Sequence, residues 1–224
     1  MNFLYNFKKS LGQNFLIDHN IINKIINIAN IDRNKTIMEI GPGSGNLTKK
    51  IVEMQPKKIF AIEKDKKLSN FLKEKYKNYK NIEIINDDIL KVINKKELGK
   101  NIIIFGNLPY NISTQILASL MLVDKWPPWY EKLILMFQKE VAERIIAETN
   151  SKNYGRLAVL SSWKLKMEKI TDISPNSFYP IPKVKSTVLL IEPKNEYFNF
   201  KNPKNIEHIT NIFFNQRRKM VKKP

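Results

Sequence analysis

Hydrophobic positions along the chain switch between two periods. Asp18 has the residue type and position of a helix N-cap, and Ile21, Ile22, Ile25, Ile26, Ile28 and Ala29 follow at helical spacing. Beyond them, short apolar runs alternate with amphipathic stretches. Thr36–Ile40, Lys58–Glu63, Asn81–Asn86, Asn101–Phe105, Lys132–Phe137 and Ser186–Glu192 read as strands. Helices are expected from about Asn46 to Met54, after Asp65 with Leu68, Phe71, Leu72 and Tyr76 on one face, over Ser113–Leu122 and over Lys139–Glu148. Residues 155–173 read as a helix followed by a strand. Near-continuous Ile, Val and Phe runs separated by helices imply an α/β fold whose parallel sheet is covered on both faces. Ligands of such sheets bind beyond the carboxyl ends of the strands, so chemistry is expected in the loops after the first four.

The flanks differ from this middle. The first 17 residues are basic and polar with interspersed aromatics, an arm rather than a core element. Pro193 and the polar stretch to Pro203 mark a boundary, and one helix with a basic end is expected from Lys204. Residues 1–194 are therefore expected as the main domain with its arm, and 195–224 as the beginning of a second, helical one.

Composition narrows the partners. Of 224 residues 42% are hydrophobic, enough for a sizeable core. No apolar run approaches the ~20 residues that span a membrane, and the start has no apolar leader. A cytoplasmic protein with no membrane partner is expected. Cysteine is absent and histidine occurs only at His19 and His208, so no metal site is expected. Lys and Arg total 39 against 21 Asp and Glu, a net charge of +18, which favours a polyanion such as nucleic acid. Only five of the 39 are Arg. A Lys-, Asn- and Ile-rich composition also arises from an AT-rich genome, so charge alone leaves that reading open.

Five loops carry candidate chemistry. Glu39-Ile-Gly-Pro-Gly-Ser-Gly-Asn-Leu-Thr48 places Gly41, Gly43 and Gly45 between a strand and a helix. Its G-x-G-x-G spacing differs from the dinucleotide fingerprint and has no P-loop lysine. It fits the glycine loop of S-adenosylmethionine-dependent methyltransferases better. Glu63 closes the second strand about twenty residues on, where an acid accepts from both ribose hydroxyls. Asn86-Asp87-Asp88 reads equally as a solvated turn or as an acceptor for a cofactor adenine amine. Asn107-Leu108-Pro109-Tyr110 is the most specific. The Asn107 amide oxygen and the Leu108 carbonyl can hold an exocyclic amine by its two N–H groups, while Tyr110 offers a flat face to a base. Finally, the Pro-rich segment 175–184 is either a stiff connection with a buried aromatic or a presenter of Phe178 or Tyr179 as a second stacking face, with Lys183 and Lys185 toward phosphate.

Taken together the chain resembles the ribosomal RNA adenine N6-dimethyltransferase family, the KsgA type. The matching segments are Ser10–Leu16, Glu39–Thr48, Phe105–Thr114, Gln138–Val141, Tyr154–Leu157, the Phe178 segment and Phe214–Lys219, in the expected order over nearly the whole chain. The resemblance implies a Rossmann-like class I methyltransferase fold with a seven-stranded, mostly parallel sheet, its last strand antiparallel. It implies S-adenosylmethionine contacts at Asn14, Leu16, Gly41, Glu63, Asp88 and Asn107. It implies that Asn107, Leu108, Tyr110 and Phe178 surround the target base. The implied substrate is two adjacent adenines near the 3′ end of small-subunit rRNA in a pre-ribosomal particle, met by a monomer. The family continues beyond its Gln-Arg-Arg-Lys segment with a small helical domain, so the C-terminal part here reads as cut short. Rival expectations are an Erm-type enzyme acting on large-subunit rRNA, a non-catalytic RNA-binding factor on the same fold, and, least well matched, a nicotinamide-dependent oxidoreductase.

Overall fold

The computed structural model describes residues 13–95, 98–123, 125–202 and 204–215. The chain enters through a two-residue strand, β1 (Phe15–Leu16), and helix α1 (His19–Ala29). Asp18 caps α1 by accepting from the amides of Asn20 and Ile21, as its position predicts. Then β2 (Thr36–Ile40), α2 (Asn46–Glu53), β3 (Lys58–Ile62), α3 (Lys66–Lys75), β4 (Ile82–Ile85), α4 (Ile89–Lys95), β5 (Ile102–Asn107) and α5 (Ser113–Met121) alternate without a break. The second half runs β6 (Tyr130–Gln138), α6 (Lys139–Ile145), α7 (Arg156–Lys164), β7 (Leu165–Ile173), β8 (Phe178–Tyr179), β9 (Ser186–Pro193) and α8 (Lys204–Asn215).

Seven strands form one sheet in the order β4-β3-β2-β5-β6-β9-β7. Only β9 runs against its neighbours, pairing antiparallel with both β6 and β7. This is the seven-stranded class I methyltransferase topology with an antiparallel last strand. Alternate residues of the inner strands feed two cores. Met38, Ile40, Ile104 and Leu135 pack under α4 to α7, while Ile37, Ile103, Phe105 and Met136 pack under α1 and α2. Glu39 shares the second face, so it lies buried beneath α2. The chain order reverses between β2 and β5, which pair in register from Thr36↔Ile102 to Ile40↔Gly106. The loops leaving these two neighbouring strands flank the crevice where α/β sheets bind ligands.

Two expectations change. Residues 89–95 form α4, which the apolar pattern left unread; Asp88 opens it by accepting from the Leu90 amide, and Ile89, Val92 and Ile93 are buried at helical spacing. The arm is also part of the core at its end. Phe15 and Leu16 pair with Tyr179 and Phe178, and Leu16 is buried. Among the described residues no helix is long and apolar enough to cross a membrane.

Candidate active site

The loop after β2 is shaped by its glycines. Gly43 has φ +57°, and a Cβ there would lie 2.6 Å from two carbons of the Phe15 ring. The arm thus packs directly onto glycine backbone, a contact only glycine permits. The Gly43 amide donates to Glu63 Oε2 at 3.0 Å, and the Asp65 amide donates to Oε1 at 2.8 Å. Glu63, at the end of β3, therefore ties the glycine loop to the start of α3 while lining the same cleft. Burial pushes its carboxyl above the usual range, against the Asp65 and Gly43 amides that favour the charge.

Beneath the loop lies Glu39. Burial pushes its carboxyl up to about 7, with the Thr48 hydroxyl and amide pulling the other way, the Glu63 charge adding to the rise and Lys75 opposing it. Its reference value is 4.5. Between those values the folded protein holds a proton that the unfolded chain has lost, so the stability contributed by neutral Glu39 is complete below pH 4.5 and is lost as pH rises through about 7. Glu39→Gln should remove that loss. Urea titrations at pH 5 and pH 8 should show the wild-type chain losing about 2–3 kcal/mol more than the variant over the interval. Equal losses would place the ionised form of Glu39 in the folded protein throughout.

Opposite the glycine loop, β5 extends two residues past its expected end, so Asn107 is its last strand residue. Asn107 Nδ2 donates to the Asn14 carbonyl at 2.6 Å. That bond settles the amide orientation, because a carbonyl can only accept, and Asn107 lines the cleft. Asn46 Nδ2 likewise donates to the Leu16 carbonyl at 2.8 Å. Backbone carbonyls of the arm thus bridge the two loops. Leu108 turns its side chain into the core, Pro109 accepts from the Ile112 amide, and Tyr110 flanks the cleft with its hydroxyl 2.8 Å from Ser186 Oγ.

Asp88 also lines this cleft. Burial would raise its carboxyl, but a 2.8 Å ion pair with Lys64, the Leu90 amide and the Lys91 charge outweigh burial and hold it below the usual range. A ligand amine at Asp88 therefore shares the carboxylate with Lys64.

The structure brings Asn14, Gly41, Glu63, Asp88, Asn107, Leu108 and Tyr110 to one cleft. It does not bring Leu16 and Phe178 there as side chains. Leu16 borders a smaller adjoining hollow with Glu39, Asn46 and Met136, and meets the site through its carbonyl. Phe178, expected as a free stacking face, is 1% exposed in the core under α1 and α2, because pairing with Leu16 turns it inward. Its neighbour Tyr179 is 57% exposed instead. Phe178→Ala should therefore cost about 3–5 kcal/mol of stability, read from urea midpoints, with cofactor binding and transfer falling together. A stable variant that loses transfer alone would return Phe178 to the target site. Gln13, Phe15 and Lys64, which the sequence left unassigned, also line the cleft. Ser10–Gly12 and Gln216–Lys219, including Arg217 and Arg218, lie outside the described residues.

The family model described as ribosomal RNA adenine dimethylase matches residues 4–224. A ribosomal RNA small subunit methyltransferase A of Pelagibacter ubique is 56% identical over 217 residues, covering 97% of this chain and 82% of that protein. Its counterpart from Azorhizobium caulinodans is 42% identical, covering 96% and 74%. Among solved structures, a dimethyladenosine transferase from Plasmodium falciparum superposes with a TM-score of 0.80 at 32% identity, over 92% of this chain and 73% of that one. The 23S rRNA methyltransferase ErmE superposes at 0.72 with 24% identity, over 89% and 77%, a likeness of fold.

Proposed function

Since this chain belongs to the ribosomal RNA adenine dimethylase family, we propose that its cleft methylates the N6 amines of two adjacent adenosines near the 3′ end of small-subunit rRNA. The chain is an rRNA adenine dimethyltransferase that uses S-adenosylmethionine. The residues present fit that cofactor. Gly41 leaves backbone open to close approach, Glu63 faces the cleft as an acceptor for ribose hydroxyls, and Asp88 stands beyond it for an adenine amine. Asn14 and the Leu16 carbonyl close the side toward the transfer loop.

When bound, S-adenosylmethionine supplies a methyl group on a sulfonium, electrophilic enough to need no metal or protein nucleophile. The chain supplies alignment. Asn107 Oδ1 and the Leu108 carbonyl accept the two N–H groups of the target amine and turn its lone pair toward the methyl donor. An aromatic amine delocalises that lone pair into its ring, and two acceptors favour the pyramidal form that attacks. The same dipoles stabilise the positive charge that grows on nitrogen as the N–C bond forms, before a proton leaves to solvent. Tyr110 gives the unstacked base a surface. The exposed Lys183 and Lys185, just before β9, meet the phosphates on either side.

The observation that supports this reading is the 2.6 Å bond from Asn107 Nδ2 to the Asn14 carbonyl, which holds the amide nitrogen at the arm and makes the oxygen the group available to the target amine. We read the working partner as a pre-ribosomal particle in the cytoplasm, the enzyme as a monomer, and 195–224 with α8 as the beginning of a helical domain. The test is methyl transfer from labelled S-adenosylmethionine to immature small subunits, with large subunits alongside and products resolved by mass spectrometry. N6-dimethyladenosine in small-subunit RNA alone is expected. Label confined to large-subunit RNA overturns the substrate assignment.

A further inference from the structure

Ser186 sits where a serine has no packing reason to be. It is the first residue of β9, fully buried, and paired with Gln138 on β6 and with Ile173 on β7. A buried hydroxyl costs stability unless it is hydrogen-bonded, and alanine would fill the same space in a strand flanked on both sides. The bond that Ser186 makes runs out of the sheet, to the Tyr110 hydroxyl at 2.8 Å. Thr187 holds the next position by donating to Asp172, whose carboxylate also takes Lys139 and Lys169. The hydroxyl at Ser186 is thus a fixed point, set by two strand ladders and an ionic cluster.

Tyr110 is otherwise a loop residue at the cleft wall. A phenol ring held only through its Cβ swings about two torsions; a bond at its far end stops the swing and fixes the plane that a base would stack on. Burial raises the Tyr110 phenol above its usual range, and the Ser186 bond pulls it the other way, so the phenol remains protonated at neutral pH.

The two methyl transfers load this ring unequally. An unmodified adenine amine offers two N–H groups to Asn107 and Leu108. After one transfer a single N–H remains, so alignment for the second rests more on stacking. We infer that Ser186 is a positioning residue that locks the Tyr110 ring, and that the second methyl transfer depends on this lock more than the first. The inference rests on the dimethyltransferase reading above.

The test follows mono- and dimethyladenosine over time on immature small subunits at saturating S-adenosylmethionine. Ser186→Ala should slow the first transfer about two- to tenfold and the second further, so that N6-monomethyladenosine accumulates where the wild-type chain carries it through. Cofactor affinity should stay within about twofold, since Ser186 lies away from the glycine loop. Tyr110→Phe breaks the same bond from the cleft side without opening the buried strand, and should give the same product ratio. The double variant should be no worse than either single one, because both remove one interaction. A Ser186→Ala or Tyr110→Phe chain with the wild-type product ratio overturns the inference, as do effects that multiply in the double variant. A wild-type chain that makes neither product overturns the dimethyltransferase reading and the inference with it.

Discussion

Asn107→Ala should slow methyl transfer about 10²- to 10³-fold while cofactor affinity falls only several-fold. The two effects separate because the side chain does two things. Its nitrogen fastens the arm through the Asn14 carbonyl, and in the proposed reaction its oxygen accepts from the target amine. Losing the first loosens one wall of the cofactor site, which retains Glu63, Asp88 and the glycine loop. Losing the second removes an acceptor that matters most when charge develops on the target nitrogen, so the loss concentrates in kcat. Equilibrium binding of S-adenosylmethionine and single-turnover transfer, measured side by side, read the split. Full transfer in the variant would remove Asn107 from the reaction. Asn107→Asp sharpens the point: a carboxylate keeps the acceptor but sets a charge against the Asn14 carbonyl, so it should weaken cofactor binding more than alanine does.

Gly43→Ala should weaken cofactor binding by at least about tenfold. Left-handed backbone costs an alanine roughly 1–2 kcal/mol, and its Cβ would also stand 2.6 Å from the Phe15 ring. The ring must leave or the loop must move, and either shift pulls on the Gly43 amide held by Glu63. Gly99→Ala is the matched control. Gly99 has φ +108° and nothing within 4 Å of its would-be Cβ, so the substitution strains backbone far from the cleft. Both variants should lose stability in urea, and only Gly43→Ala should lose affinity by calorimetry. Identical affinities in the two would mean that Phe15 and the glycine loop move apart freely and play no part in the cofactor site.

The parallel sheet was readable because its inner strands are almost wholly apolar, and Ile102–Phe105 or Leu133–Phe137 admit no other placement than a doubly covered sheet. The order of Gly41, Glu63, Asp88 and Asn107 along successive strand ends was legible for the same reason. Helix α4 was hidden by Asn86-Asp87-Asp88, which reads as a turn although its last residue caps a helix. The inward turn of Phe178 was not legible at all. It follows from pairing with Leu16, more than 160 residues away, and no local pattern announces such a partner. The orientation of Asn107 and the Ser186–Tyr110 bond share that origin, since each joins segments that only the finished sheet brings together.

The place of β9 in the sheet also bears on how the protein is made. Until Ser186–Pro193 has emerged during synthesis, β6 ends a growing sheet with Leu133–Phe137 bare along one edge, and β7 has no strand to join. An apolar, unpaired edge of that length is a template for pairing with other chains, so the nascent enzyme passes through an aggregation-prone form while β9 is still to come. Inserting one strand then seals the edge and recruits β7 in the same event. Slow synthesis across residues 140–185 should therefore lower soluble yield more than an equal delay after residue 193.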